Sequence, residues 1–148
     1  MRNVPAVNID SVTHQFQVAE SLRKVFSYAQ FVMETSFADA AFFTAPRSFR
    51  VMGVREIHRV AGDHGSAVNL QIEKCTGTTA PGSGTNLLTN NSNAGFNLKG
   101  TANTEQEGSL VTTAASLLLA KGDRLAVDFA GTLDSLAGVC VTVELDPV

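Results

Sequence analysis

Regular alternation of apolar and polar residues near the C-terminus constrains the fold more than any other feature of this sequence. Leu125, Val127 and Phe129 alternate with polar or small residues, and the run from Val139 to Leu145 repeats that pattern. Successive side chains of a strand point to opposite faces, so this period of two predicts strands with one buried face. A KGD sequence at 121–123 predicts a tight hairpin turn between two of them. After a charged turn at 105–108, we predict four strands, at 110–112, 116–119, 124–129 and 138–145.

Strand patterns also run through the middle of the chain. Aromatic and branched residues predict strands at 26–34 and 38–44, and a Pro-containing turn at 45–48 leads into the longest candidate, 49–60. The apolar residues of this candidate change sides near Gly53, which predicts a β-bulge or a strand that bends between two sheets. The next strand is regular and predicts three apolar residues inside and three polar residues outside. These are Val68, Leu70 and Ile72 inside, and Asn69, Gln71 and Glu73 outside.

A polar, low-complexity stretch follows at 76–100, rich in Gly, Ser, Thr and Asn. Because strands resume after it, we interpret it as a long surface loop with short strand fragments rather than a linker between domains. Four of its residues are apolar and are expected to be its buried anchors: Leu87, Leu88, Phe96 and Leu98.

The N-terminal residues have mixed character. Residues 11–18 alternate as a short strand would, whereas Val18, Leu22 and Val25 or Phe26 have helical spacing over 18–26, so both structures stay open there. We predict an N-terminal arm or extension at 1–27 that packs on a neighbour, followed by one β-sandwich domain at 28–148. The predicted fold class is all-β, an antiparallel β-sandwich of jelly-roll type with an N-terminal arm.

Composition narrows the function classes. At 148 residues, one domain is expected, and it is large enough to fold without disulfides or a metal. Charged residues make up 17% of the chain, below the roughly 25% of an average soluble protein, which favours self-association or docking. The net charge of −3 argues against nucleic acid as a partner. No apolar run approaches the roughly 18 residues of a membrane span, and no secretory signal is visible, so we expect no membrane partner and synthesis in a bacterial cytoplasm.

Candidate catalytic and metal-binding residues do not form a pattern. His14, His58 and His64 lack metal-ligand spacing, and His58 and His64 are interpreted as ordinary polar surface residues. The glycines of Gly82-Ser-Gly84 precede no helix and are interpreted as loop flexibility rather than a phosphate cradle. Cys75 and Cys140 are interpreted as reduced packing residues. We therefore predict no catalytic residues, no metal site and no cofactor: the protein is not expected to be an enzyme.

A local concentration of arginines is the clearest polar feature. It comprises Arg47, Arg50, Arg55 and Arg59. If strand pairing is regular, Arg55 and Arg59 share one face, either as a solvated or salt-bridged strand face or as a contact with an acidic neighbouring subunit. Together with apolar residues of the arm they form the predicted interface: Val12, Phe16, Val18, Leu22, Arg55 and Arg59.

Several longer stretches resemble small virion proteins of tailed bacteriophages. They are 50–62, the strand at 67–74 with the GTTAPGSGTNLL run after it, and LKGTANTEQEGSL at 98–110. The run LLLAKGDRLAVDF also resembles the closing strands of small jelly rolls. The resemblance covers about residues 40–148 and leaves out the first 40.

The resemblance implies a capsid decoration, or cement, protein with a jelly-roll fold. Such a protein binds the outer capsid surface, clamps neighbouring major capsid proteins and carries no cofactor. Its expected partners are the major capsid protein and further copies of itself, with a homotrimer favoured over a homodimer, and its expected location is the virion surface. The alternatives are a receptor-binding domain at a phage fibre or tail tip, and an enzyme of cupin-like or hydrolytic type.

Overall fold

The computed structural model describes residues 39–148 in full and, N-terminal to them, the backbone of three strands. Twelve strands and two single helical turns occur in the described part of the chain. The strands are β1 Asn8–Ile9, β2 Phe16–Gln17, β3 Lys24–Ala29, β4 Ala40–Thr44, β5 Phe49–Ile57, β6 Asn69–Cys75, β7 Thr85–Asn86, β8 Phe96–Asn97, β9 Gln106–Glu107, β10 Leu118–Leu119, β11 Arg124–Ala130 and β12 Cys140–Pro147. The helical turns are α1 Asn90–Asn93 and α2 Ala114–Leu117.

Two antiparallel sheets contain most of these strands. We call β10-β5-β12-β3 the front sheet and β4-β11-β6-β7 the back sheet; β9 also pairs with β5, and β8 with β6. β1 and β2 pair only with each other. No helix among the described residues is long and apolar enough to cross a membrane.

The strand order is that of a rolled-up hairpin. If β1 and β2, which pair only with each other, and the side strands β8 and β9 are set aside, the first of the remaining eight strands, β3, pairs with the last, β12. In the same way β4 pairs with β11, β5 with β10 and β6 with β7. This nested pairing, split over two facing sheets, is the topology of a jelly roll. The predicted all-β sandwich is confirmed.

The longest strand, β5, contains the predicted bulge. Glu144 of β12 lies opposite Gly53, and the next residue, Leu145, lies opposite Val51, so that Met52 is the extra residue. The bulge restores the inward direction of Val54, while Met52 remains on the outer face. The change of sides seen in the sequence is therefore a bulge within one sheet, not a strand passing between two sheets.

The core lies between the sheets and is filled from both. β12 contributes alternate residues, and the four predicted inward residues from Val139 to Leu145 are all fully buried. Each fully buried aliphatic side chain of this kind contributes about 1.5–3 kcal/mol of hydrophobic stabilisation. The four predicted anchors of the long loop are buried as well, which confirms that 76–100 is tied to the core: Leu87, Leu88, Phe96 and Leu98.

Some predicted elements differ from the structure. The segment 116–119 is not one strand, because α2, rich in the good helix former Ala, takes up its first half and only β10 remains extended. Residues 110–112 form a single bridge, between Leu110 and Leu88, and the turn predicted at 105–108 contains β9. The KGD turn is present, with Asp123 Oδ2 accepting from Ala120 N at 2.8 Å. It leads from one sheet to the other rather than closing a hairpin of paired strands, because β10 and β11 belong to different sheets.

The N-terminal region is partly described. β3 forms a strand at 24–29, so the helical alternative for 18–26 is wrong at its C-terminal end. β3 also pairs with β12 along its whole length, and the predicted boundary between 27 and 28 therefore falls inside a strand of the front sheet. Most of the alternative strand at 11–18 lies outside the described residues.

Candidate contact surface

The outward side of the front sheet carries a mixed surface of apolar and charged residues, here called the front surface. Its apolar members include three of the four exposed large hydrophobic residues of the described chain: Met52, Ile57 and Leu118. Met52 is 41% exposed, and the other two are 39% exposed. Hydrophobic side chains grouped on one sheet face are typical of a surface that contacts another molecule. The remaining members are Arg50, Arg55, Cys140, Thr142 and Glu144.

Arg55 lies at the centre of this surface in an ion-pair network. Its Nη1 donates to Glu144 Oε1 on the neighbouring strand, and its Nε lies 3.5 Å from Glu105 Oε1 in the loop before β9. The hydrogen bond and the charge of Glu144 raise the pKa of the Arg55 guanidinium further above its ordinary value, so it stays charged. Because Arg55 is 37% exposed, the pairs contribute little to stability and act mainly by orienting the side chains.

A shallow groove of about 310 Å³ lies beside this network. Its lining combines an exposed acid, an arginine and small or apolar side chains with Glu56, whose side chain is fully buried: Arg55, Glu56, Ile57, Glu105, Cys140 and Thr142. This mixture is suited to a side chain or loop of another protein, and it lacks the convergent polar groups of a small-molecule site.

The four arginines do not form one patch. β5 ends at Ile57, so the regular strand that would place Arg55 and Arg59 on one face does not extend to Arg59. Arg59 is exposed and its backbone N–H donates to Ala137 O at 3.1 Å, in the segment before β12. Arg47 lies over the ring of Phe49, with its guanidinium carbon 5.5 Å from the ring centroid.

The other predicted interface residues belong to the N-terminal region. Val12, Val18 and Leu22 lie outside the described residues. Phe16 is in β2, where its backbone pairs with Ile9, and nothing is described of its side chain. Their part in an interface stays a prediction.

The outward side of the back sheet, here called the back surface, is covered, contrary to the prediction for β6. Asn69, Gln71 and Glu73 are 8%, 3% and 2% exposed, because the long loop folds over them. Gln71 forms four hydrogen bonds, donating to Leu88 O and Asn93 O and accepting from the N–H groups of Ile72 and Leu88. The alternation correctly separates the two faces of β6. The polar face, however, is buried under the loop rather than exposed to water.

The glycines at 82 and 84 form an anion cradle whose occupant is Glu73 of the same chain. Glu73 Oε2 accepts from Gly82 N at 2.9 Å and from Gly84 N at 3.1 Å. A Cβ at Gly84 would lie 2.9 Å from Lys74 O, so the backbone approach requires glycine there. The interpretation of this segment as flexible is therefore wrong, since its backbone is hydrogen-bonded to a buried carboxylate.

A buried histidine is the polar feature that the sequence interpretation missed. His58 is 1% exposed, not a surface residue, and its Nδ1 lies 3.0 Å from Oε1 of Glu56, which is equally buried. The hydrogen bond to Glu56 raises the pKa of His58 above its ordinary value, and burial opposes this. Parity could have indicated it, because Val54, Glu56 and His58 alternate on the inward side of the chain once the bulge is counted.

Catalytic chemistry finds no support in the described residues. No group of three His, Cys, Asp or Glu side chains there is placed to hold a metal ion. Burial and the nearby Glu73 raise the pKa of the Cys75 thiol, which disfavours the thiolate that a nucleophile needs.

Comparisons with known proteins place the fold among viral capsid structures. No protein-family model and no curated protein sequence matches this chain. A chain of the cyanophage Pam1 capsid asymmetric unit has a similar fold, with a TM-score of 0.52 and 16% identity over 86% of both chains. Weaker similarity extends to infectious bursal disease virus. For the Gx strain, TM-score and identity are 0.38 and 12% over 95% of this chain and 36% of that one. For the VP2 subviral particle they are 0.35 and 12%, over 95% of this chain and 37% of that one. The similarity to the cyanophage capsid chain shows that this chain has a viral capsid-like fold.

Proposed function

We propose that this chain is a virion structural protein that decorates the outer surface of a phage capsid and stabilises the shell. The observation that carries the proposal is the similarity to a chain of the cyanophage capsid asymmetric unit over 86% of both lengths. A match of that extent pairs nearly the whole of each chain. The resemblance of 40–148 to small tailed-phage virion proteins supports the same role.

The partners in this proposal are the major capsid protein and further copies of this chain. A homotrimer is favoured over a homodimer because compact jelly rolls often associate around a threefold axis. The low fraction of charged residues and the apolar members of the front surface support association. Many weak contacts repeated over a shell would give firm attachment without one tight site. Light scattering tests the oligomer: a trimer has three times the mass of the 15.6 kDa chain.

The N-terminal arm is proposed to hold the capsid, and the arginines to contact an acidic surface of a neighbour. Arg59 is the better candidate of the two predicted arginines, since Arg55 already contacts Glu144 and Glu105. The apolar residues Val12, Phe16, Val18 and Leu22 are proposed to pack against the neighbouring subunit.

Deletion of residues 1–23 tests the arm. The deletion stops before Lys24 because β3 belongs to the front sheet and its loss would expose β12. We expect the shortened protein to keep its β-sheet circular dichroism and to lose binding to capsids that lack the decoration protein, measured by co-sedimentation. Full occupancy by the shortened protein would show that the arm is not required.

A charge reversal tests the arginine contact. Arg59→Glu should weaken capsid binding, whereas Lys121→Glu, the same change at the exposed KGD turn, should leave it unchanged. Equal effects of the two variants would mean that only net charge matters.

The place of the protein in the particle separates capsid decoration from the fibre alternative. Gold-labelled antibody against the chain should decorate the heads of intact virions in negative stain. Label confined to the tail tip would overturn the decoration role and favour receptor binding.

A further inference from the structure

The pair of His58 and Glu56 lies at the end of β5, buried between the sheet and a loop. We call residues 98–107, which form this loop, the strap. The His58 ring contacts Glu56 Oε1 through Nδ1 and the carbonyl of Gly100, in the strap, through Nε2 at 3.2 Å. A carbonyl oxygen and a carboxylate can only accept hydrogen bonds, so both ring nitrogens must donate. While Glu56 is ionised, a neutral imidazole, which has one N–H, cannot satisfy both contacts, and only the doubly protonated ring does.

The partners of Glu56 fit the same charge state. Its second oxygen, Oε2, accepts from Gln106 Nε2 at 2.8 Å, so that both carboxylate oxygens are paired with donors. Burial would be costly for a lone charge, but an ion pair with saturated hydrogen bonds is tolerated. No buried side-chain polar atom in the described part of the chain lacks a partner.

Among the described residues, one charged group acts on the His58 ring: Glu56, from β5. The facing strap contributes neutral groups, namely the Gly100 carbonyl to the ring, the Asn103 N–H to the His58 carbonyl and the Gln106 amide to Glu56. Glu105, also in the strap, lies against Arg55 on the opposite side of β5. The proton balance of the ring therefore depends mainly on Glu56 and on the position of the strap.

Most of the hydrogen bonds between the strap and the end of β5 involve Glu56 or His58. Asn103 N donates to His58 O at 2.7 Å, and β9 pairs with Arg55 and Glu56. Gln106 links Glu56 to Asn97 O, at the base of the strap. Loss of one ring proton would leave a nitrogen lone pair facing an acceptor in a site without water contact.

We propose that the strap is a proton-operated clasp, held on the sandwich while His58 is doubly protonated and released when the ring loses a proton. Release would remove Glu105 from Arg55 and open the groove of the front surface, whose lining includes both residues. The clasp is a property of the isolated chain and does not depend on the capsid role.

The direction of the pH dependence follows from the raised pKa of His58. A group whose folded pKa lies above its unfolded value of 6.5 contributes its full stabilisation below that value. The contribution is lost as the pH rises through the folded pKa. The strap should therefore be closed in acid and should loosen toward alkaline pH.

Hydrogen exchange and NMR on the full chain test the clasp. Between pH 5 and 9, we expect the protection factor of the Asn103 amide to fall by about tenfold or more as the His58 ring titrates, as befits the loss of a charge-assisted hydrogen bond. Amides in the centre of β12 serve as the internal reference and should not change. Constant protection of Asn103 through the titration of His58 would overturn the proposal.

Variants separate the clasp from a general effect of pH. Glu56→Gln should move the transition of Asn103 to lower pH, because the main cause of the raised pKa is removed. His64→Gln should leave it unchanged, because the His64 ring accepts only from Ser66 N and the backbone carbonyl that accepts from Lys99 of the strap is kept. An ¹⁵N spectrum of wild-type protein showing a neutral His58 ring at pH 6, with the proton on Glu56, would also overturn the proposal.

Discussion

The outward sides of the two sheets differ in their exposure to solvent, although the strands of both sheets have alternating sequences. The polar side of β6 is buried under the long loop, which leaves Gln71 3% exposed. The corresponding side of β5 and β12 carries Met52 and Ile57 at about 40% exposure. Alternation therefore identifies the two faces of a strand, whereas a distant segment of the chain decides whether the second face is exposed to water.

Among the variants that test this difference between the two surfaces, Gly95→Ala has the largest expected effect on stability. Gly95 has φ +88°, and a Cβ there would lie 2.1 Å from Leu70 O of β6, so the loop could not approach the back sheet. We expect a loss of about 3 kcal/mol or more in the free energy of unfolding, measured with urea. Gly122→Ala is the matched control, since Gly122 has φ +92° but open space around it, and should cost about 1–2 kcal/mol. Equal losses would mean that the close approach of the loop is unimportant.

Removal of a buried amide gives the next largest effect. Gln71→Met keeps the size of the side chain but leaves the N–H and C=O of Leu88 without their partners, so we expect a loss of about 2–4 kcal/mol. Thr142→Val on the front surface should change stability by no more than about 0.5 kcal/mol. Thermal unfolding of the two variants compares the surfaces directly. If Gln71→Met loses as little stability as Thr142→Val, the two surfaces do not differ in the way proposed.

The smallest test compares one acid on each surface. Asp128 lies opposite Gln71, and burial, then the charges of Glu73 and Asp39, raise its pKa above the ordinary value. A raised folded pKa means that the ionised form is disfavoured in the fold, and the penalty grows as the pH rises through that pKa. Asp128→Asn should therefore raise the melting temperature at pH 7 and lose this advantage in strong acid.

On the front surface the sign is opposite. Glu144→Gln removes the ion pair with Arg55, so it should lower stability at pH 7 slightly, because the pair is partly exposed to solvent. Calorimetry at pH 7 and pH 3 measures both variants. If Asp128→Asn is also destabilising at pH 7, the acids of the back surface are better solvated than their burial suggests.

Local patterns in the sequence were sufficient for the strands that contact water on one side and the core on the other. The inward residues of β12, the anchors of the long loop and the bulge near Gly53 all follow from short-range spacing. Which strands pair could not be read, because the nested order joins segments at opposite ends of the chain. The buried state of Glu73 was missed for the same reason, since its partners Gly82 and Gly84 come from a loop without a periodic pattern. The burial of His58 could have been read from the alternation after the bulge, but its partner Gly100 could not.

The candidate interface is less determined than the fold. The spacing of Arg55 and Arg59 predicts that they share one face, but their geometry depends on where β5 ends, which spacing alone does not fix. An outward residue belongs to an interface only if another molecule contacts it. The periodicity of one strand carries no information about that molecule.

The pairing of β3 with β12 has a consequence for how the protein is made. Its two strands lie at opposite ends of the described chain, so the ribosome must release almost all of it before the front sheet can close. Contacts of such long sequence separation give a high contact order and slow folding, in the range of milliseconds to seconds. Until β12 arrives, the neighbouring edges of β3 and β5 stay unpaired, and during that interval nascent chains are exposed to mispairing with one another.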